Sequence, residues 1–204
     1  MKVAALTDKE IEAIGEAFAD HPYPEDDQGM AVLFPDRESI KAYICGYVRA
    51  ALKCGCLYTT SERHEAYVAF KHTQDKHRLK FLLSLVPVII RTMGFGGAMR
   101  YMQLTGRSGT PYHEELAKAK KPHIYVAMLA VTKSYQGQGY MRKAIGIAYE
   151  EGRRRQCPVV LETDAKLKRD KYISVGMTCE KERRCTDTAV LYDMRWNPEG
   201  SVHK

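Results

Sequence analysis

"HIYVAMLAVTKSYQGQGYM", residues 123–141, runs from an apolar, β-branched stretch into two glycines set between glutamines. Its first nine residues, His123–Val131, predict a strand buried on both faces. Met141, Ala144, Ile145, Ala148 and Tyr149 then recur at helical spacing with charges opposite, which predicts an amphipathic helix that starts at the glycines. The unit is strand, bare turn, helix. The first N–H groups of a helix lack partners and the positive end of its dipole points outward, so a phosphate placed there is bound by main chain alone. Gly137 and Gly139 therefore have two readings: a cradle that side chains would obstruct, or a tight connection that needs positive φ. Other nucleotide motifs fail. Arg142 stands where a dinucleotide turn wants glycine, "GFGGAM" (94–99) fails the same test, and there is no Walker lysine sequence.

Downstream, "CPVVLE" (157–162) predicts a strand and "DAKLKRDKYISV" (164–175) a helix ending at Gly176. "MTCEKER" (177–183) and "TAVLYDMRW" (188–196) form a closing hairpin, with Val190, Tyr192, Met194 and Trp196 on one face. Upstream, a short strand is expected at Lys2–Leu6. "LTDKEIEAIGEAF" (6–18) is a helix opened by a capping box, Thr7 answered by Glu10. "HPYPEDDQGM" (21–30) is loop, and Ile40, Ile44, Tyr47, Val48 and Ala51 mark a second helix. "CLYTT" (56–60) and "AYVAF" (66–70) predict a hairpin around "SERHE". Residues 72–122 look helical and irregular, with a break at "GFGGAM". The most apolar run, "FLLSLVPVII" (81–90), is half the ~20 residues a bilayer span needs and reads as a buried helix bent or broken at Pro87, with a membrane-surface role as the alternative. No repeat or long linker divides the chain, so residues 1–204 are expected to form one α/β (α+β) domain, a central mixed sheet with helices on both faces.

Hydrophobic residues make up 45% of the 204 and charged ones 28%, the composition of an ordinary globular protein. The net charge of +7 is spread without a long basic run, so no nucleic-acid partner is expected, and attraction for an anionic small molecule fits as well as a solvated surface. "MKVAALTDKE" turns charged before a signal-peptide core can form, so the six cysteines are expected as free thiols in a reducing cytoplasm. Their spacing, with seven scattered histidines, does not match a zinc site, and no metal or membrane partner is expected. A homodimer stays open.

"LAVTKSYQGQGYM" (129–141) resembles the strand-to-loop pattern of the GNAT superfamily of acyl-CoA-dependent N-acetyltransferases, with Gln136 at its Arg/Gln position and Gly137 and Gly139 at its glycines. Thirty residues on, "LETDAKLKRDKYISVGM" (161–177) resembles the second segment of that family, with Tyr172 four residues before Gly176. "YVAMLAV" is similar to the subgroup that includes small-molecule acetyltransferases. The sequence departs from the pattern at Lys133, often proline, at Met141, usually small, and at Ala165, often asparagine.

The resemblance implies a mostly antiparallel sheet and acetyl-CoA as cosubstrate, held by Leu129, Ala130, Val131, Gln136, Gly137, Gln138, Gly139, Tyr140, Met141 and Arg142. It implies direct transfer to a primary amine, with a small-molecule acceptor expected. Protein amino termini or lysines, or acyl-CoA sensing without turnover, are the alternatives. At pH 7 an alkylammonium of pKa ~10.4 is neutral about once in two thousand, a cost near ~4.6 kcal/mol, so the chemistry must remove a proton. The family likeness makes Tyr172 the acid that protonates the departing thiolate. His123, with a suitable intrinsic pKa, is the first candidate base, beside His113, Glu114, Glu162 and a water chain. Acceptor choice falls to the variable loops, where Glu25, Asp26 and Asp27 are candidates to attract a cationic amine.

Overall fold

Thr7 sets the start of the first helix, α1 (Asp8–Ala19). Its hydroxyl accepts the Glu10 N–H at 3.3 Å while the Glu10 carboxylate accepts the Thr7 N–H at 2.7 Å, so two otherwise orphaned donors are satisfied. The Thr7 N–H and the Thr7 hydroxyl, both donating to the carboxylate, together with His64, hold the Glu10 carboxyl down to about 2. Asp36 does the same for α2 (Arg37–Lys53), accepting the Ser39 N–H at 2.7 Å. The computed structural model describes residues 1–25, 27–75 and 78–198.

After α2 come β1 (Leu57–Thr59), β2 (Ala66–His72), a long helix α3 (Arg78–Arg107), a short α4 (Tyr112–Lys118) and β3 (Ile124–Val131). Then follow α5 (Tyr140–Arg155), β4 (Val159–Thr163), α6 (Lys166–Ser174), β5 (Thr178–Arg184) and β6 (Val190–Trp196). The six strands form one sheet in the order β1-β2-β3-β4-β6-β5, antiparallel at every step except β3–β4. One face packs Tyr67, Ala69, Met128 and Ala130 against α1, α2 and the start of α3. The other packs Val68, Phe70, Val126 and Leu161 against Ala144, Ile145 and Ala148 of α5. The expected mixed, mostly antiparallel sheet with helices on both faces is what forms.

Three expectations need correction. Residues 2–6 make no strand: Lys2 bridges Tyr58 and the Val3 N–H donates to Leu57 O at 2.9 Å, after which the chain leaves to enter α1. Pro87 sits inside α3 and does not break it, whereas the break expected at "GFGGAM" falls at Gly94 (φ 69°, ψ 170°), in a left-handed region that favours glycine. β3 is not buried on both faces. Its burial alternates, even positions buried and odd ones partly open, and its end from Val126 to Val131 lines a cleft.

Candidate active site

The cleft begins with a single extra residue. β2 opposes β3 with Phe70 across from Val126 but Ala69 across from Met128, which leaves Ala127 bulged. The bulge flips the alternation: Ile124 and Val126 pack toward α5, while Met128 and Ala130 pack toward α1 and α2. On its other edge β3 pairs with β4 only from Ile124–Val159 to Val126–Leu161. The two parallel strands separate where the bulge sits. Leu129, Ala130 and Val131 keep their β2 partners and present their other backbone edge to a cleft of about 590 Å³.

The glycine turn stands at the mouth. Gly137 (φ 75°) and Gly139 (φ 78°) are both left-handed, so the turn does require glycine. A Cβ built on either would meet no atom within 4 Å, so the space before the turn is open as well. Both readings of the glycines hold together. Among the described residues, the first α5 N–H with a main-chain acceptor in the turn is that of Lys143, on Gly139 O at 3.4 Å, which leaves the preceding donors to a ligand or solvent. The glutamines are braces: Gln136 Nε2 donates to Val131 O at 3.2 Å and Gln138 Nε2 to Ser134 O at 2.9 Å.

Of the residues expected at the cofactor, Leu129, Ala130, Val131, Gln136, Gly137, Gly139, Tyr140 and Met141 line the cleft. Gln138 and Arg142 lie beside it, and the Arg142 guanidinium is spent on Ser174 O at 3.0 Å, tying α5 to the end of α6. Lys133 leaves the turn to pair with Asp20. Ala165 offers α6 no side-chain cap, and Asp27 supplies it from the α1–α2 loop by accepting the Lys166 N–H at 2.6 Å. Asp27 is thus a structural acid, and Asp26 lies outside the described residues.

Tyr172, on α6, faces the same cleft. Burial, then the Asp164 charge, pushes its phenol well above the ordinary tyrosine value, so it holds its proton across physiological pH. His123 is elsewhere. It precedes β3 at the paired end, buried, with Nδ1 2.9 Å from Lys121 O and its N–H donating to Thr73 Oγ1 at 3.2 Å. His113 stacks on Tyr125 with ring centres 4.2 Å apart. Among the candidate bases only Glu162 lines the cleft, and it is ion-paired with Arg183, which also holds Asp193 at 2.9 Å.

The sequence reading missed His21. It lines the cleft from the α1–α2 loop, edge-on to Tyr23 with ring centres 4.7 Å apart, and its Nε2 is buried with no hydrogen-bond partner among the described residues. Burial and Lys168 push the imidazole down to about 4, so it is neutral at pH 7. Tyr23 donates to Asp164 at 2.9 Å and accepts from Lys168 at 2.6 Å, so this loop is bolted to the end of β4 and the start of α6. Phe34, Tyr43 and Tyr47 continue the wall as an aromatic ladder, with successive ring centres 5.2 and 6.3 Å apart.

A bare helix start faces two separated parallel strands across an open cleft, an arrangement able to receive an anionic group by main chain. Residues 16–170 match the family described as the acetyltransferase (GNAT) family, and the chain belongs to it. It is an acetyl-CoA-dependent acetyltransferase. No curated protein matches the chain by sequence. The fold is similar to that of a histone acetyltransferase HPA2 and related acetyltransferase from Corynebacterium glutamicum (14% identity, 99% of this chain and 100% of that one, TM-score 0.59). It is also similar to arylalkylamine N-acetyltransferase 2 from Aedes aegypti (14% identity, 97% and 98%, TM-score 0.54). A nourseothricin acetyltransferase is matched over 37% of this chain and only 49% of its own length, at 20% identity and TM-score 0.33.

Proposed function

We propose that the protein transfers the acetyl group of acetyl-CoA to a primary amine of a small molecule, both bound together. The carrying observation is the release of Leu129–Val131 from β4 directly beside the open turn at the start of α5. When bound, the cosubstrate supplies an activated thioester, and this chain's residues position it and move protons. The N–H groups at the start of α5 receive the pyrophosphate. The exposed β3 edge at Leu129–Val131 would hold the pantetheine arm and offer a main-chain N–H to the thioester oxygen, where negative charge would develop. Tyr172 gives a proton to the departing sulfur.

His21 replaces His123 in this reading, as a hydrogen-bond acceptor that orients the amine nitrogen. With its conjugate acid near 4 it is too weak to keep an ammonium's proton, so final proton removal falls to water. The acceptor class follows from enclosure. Asp27 and Tyr23 tie the α1–α2 loop down across the cleft, and a volume of about 590 Å³ lies in the small-molecule range. The aromatic wall suits an amine with an apolar or aromatic body.

The test is an amine screen with acetyl-CoA, scored by thiol release. Turnover of small aromatic or apolar amines is expected, and turnover of peptide amino termini or lysines alone would replace the small-molecule reading. Coenzyme A at a hundredfold excess over Kd should stabilise the fold by ~2.7 kcal/mol and raise Tm by roughly 5 to 11 °C. A flat response would refute the donor site, and binding without turnover of any amine would make the protein a sensor.

A further inference from the structure

Much of the outer face of α3 is exposed. Leu83, Val86 and Ile90 are exposed on its first half, and Phe95, Met99 and Met102 beyond the Gly94 break, with Phe95 72% exposed. Within each half the spacing is three or four residues, which places the side chains on one face. The inner face is apolar too, since Phe81 and Leu85 are buried in the core shared with α1 and α2. α3 therefore carries apolar side chains on an inner side packed in the core and on an outer side in water. Isolated exposed leucines are ordinary, but a stripe over both halves of a 30-residue helix marks an interaction surface.

Charge selects the occupant. The sequence of α3 contains no aspartate or glutamate, and Arg91, Arg100 and Arg107 are exposed along it. Two copies joined through this face would set like-charged helices against each other. No helix among the described residues is long and apolar enough to cross a membrane. Apolar side chains that insert shallowly, flanked by cations only, fit the interface of an anionic bilayer. We propose that α3 docks the enzyme reversibly on anionic lipid surfaces, contrary to the expectation of no membrane partner. Tyr47 lines the cleft and packs edge-on against Phe81 of α3, ring centres 5.2 Å apart, so docking would set the aromatic side of the cleft close to the lipid.

The test is co-sedimentation of the full chain with phosphatidylcholine vesicles, with and without 30% phosphatidylserine. Binding to the anionic vesicles is expected, at least tenfold above the neutral ones, and falling with salt. Arg91→Gln with Arg100→Gln should weaken it about 25-fold, the equivalent of about 1 kcal/mol for each basic residue at an anionic surface. Ile90→Ser with Phe95→Ser should reduce it at least tenfold. All four side chains are exposed, and an unchanged Tm rise with coenzyme A reports that the variants fold. Equal binding to both vesicle types, or full binding by the serine variant, would overturn the proposal. So would a mass that doubles with concentration and is restored to monomer by Ile90→Ser and Phe95→Ser, which would assign the face to a second copy. Specific retention of an acidic protein with no binding to lipid would likewise overturn it.

Discussion

The two ends of β3 receive opposite treatment from the fold. At Ile124–Val126 the strand is paired on both edges and closes over His123, whose polar atoms meet main chain and Thr73. At Leu129–Val131 one edge has no strand partner and opens onto the glycine turn, with Val131 O met by the Gln136 side chain. An unpaired strand edge in a protein interior costs free energy unless something else satisfies it. One half of the strand is sealed, and the proposed donor site lies where the other half lacks a strand partner.

The bulge is the place to break that contrast. Deleting Ala127 leaves Val126 opposite Phe70 and Met128 opposite Ala69, with every remaining β3 side chain on its present face, so the hairpin with β2 is regular and the core pattern intact. The straightened strand is then free to pair with β4 beyond Val126. Coenzyme A affinity should fall by two orders of magnitude or more while the cooperative unfolding transition persists. Wild-type affinity in a folded deletion variant would show that the strands part for another reason.

Tyr172→Phe keeps the ring in the cleft wall and removes the proposed proton donor. The loss should appear in kcat, about 10²- to 10⁴-fold, with coenzyme A affinity little changed. An unchanged single-turnover step would pass the acid role to water. Gly139→Val tests the mouth. At φ 78° a β-branched residue is strained whatever the space around it, and its methyl groups would also enter the open approach. We expect at least a tenfold rise in the coenzyme A Kd, against no change for Glu150→Gln on the exposed side of α5. Gly139→Ala separates the two contributions, because it carries most of the strain with little of the bulk. Equal affinities for Ala and Val would mean that the glycine serves the backbone alone.

What the sequence made legible was local. The capping box, the apolar periods of α2 and α5 and the two glycines are each determined by neighbours within a few residues, and all stand where expected. Ala127 gives no such signal, because its bulge exists only in the pairing of β3 with β2. Asp27 reads as an exposed acid until α6, 139 residues away in sequence, is brought to it as a helix needing a cap. His21 was passed over and His123 preferred, because burial beside a strand is visible in a pattern and a place between two distant elements is not. The loop that carries His21 was marked as an acceptor region by its prolines and acids, which was as close as composition came.

The two histidines sharpen the comparison at its small end. His123 belongs to the sealed half, with Nδ1 against Lys121 O, whereas His21 faces the cleft and resists protonation down to about 4. An unfolded histidine titrates near ~6.5, so between that value and 4 the unfolded chain binds a proton at His21 that the folded chain refuses. Stability contributed by the neutral ring is therefore complete above pH 6.5 and declines as the pH falls toward 4. The slope for one proton cannot exceed about 1.4 kcal/mol per pH unit, and solvent reaching part of the ring keeps it well below that. Glu10, held near 2, begins to matter only once the unfolded carboxyl protonates, so the upper part of the window belongs to histidines. His72, also pushed down by burial, adds a background that the variant shares. His21→Asn should flatten the fall in denaturation midpoint between pH 6.5 and 4.5 and raise the KM of an active amine a fewfold at pH 7.5, with coenzyme A binding intact. Parallel stability curves for the two proteins would return the imidazole to solvent, and an unchanged KM would remove it from the acceptor side of the cleft.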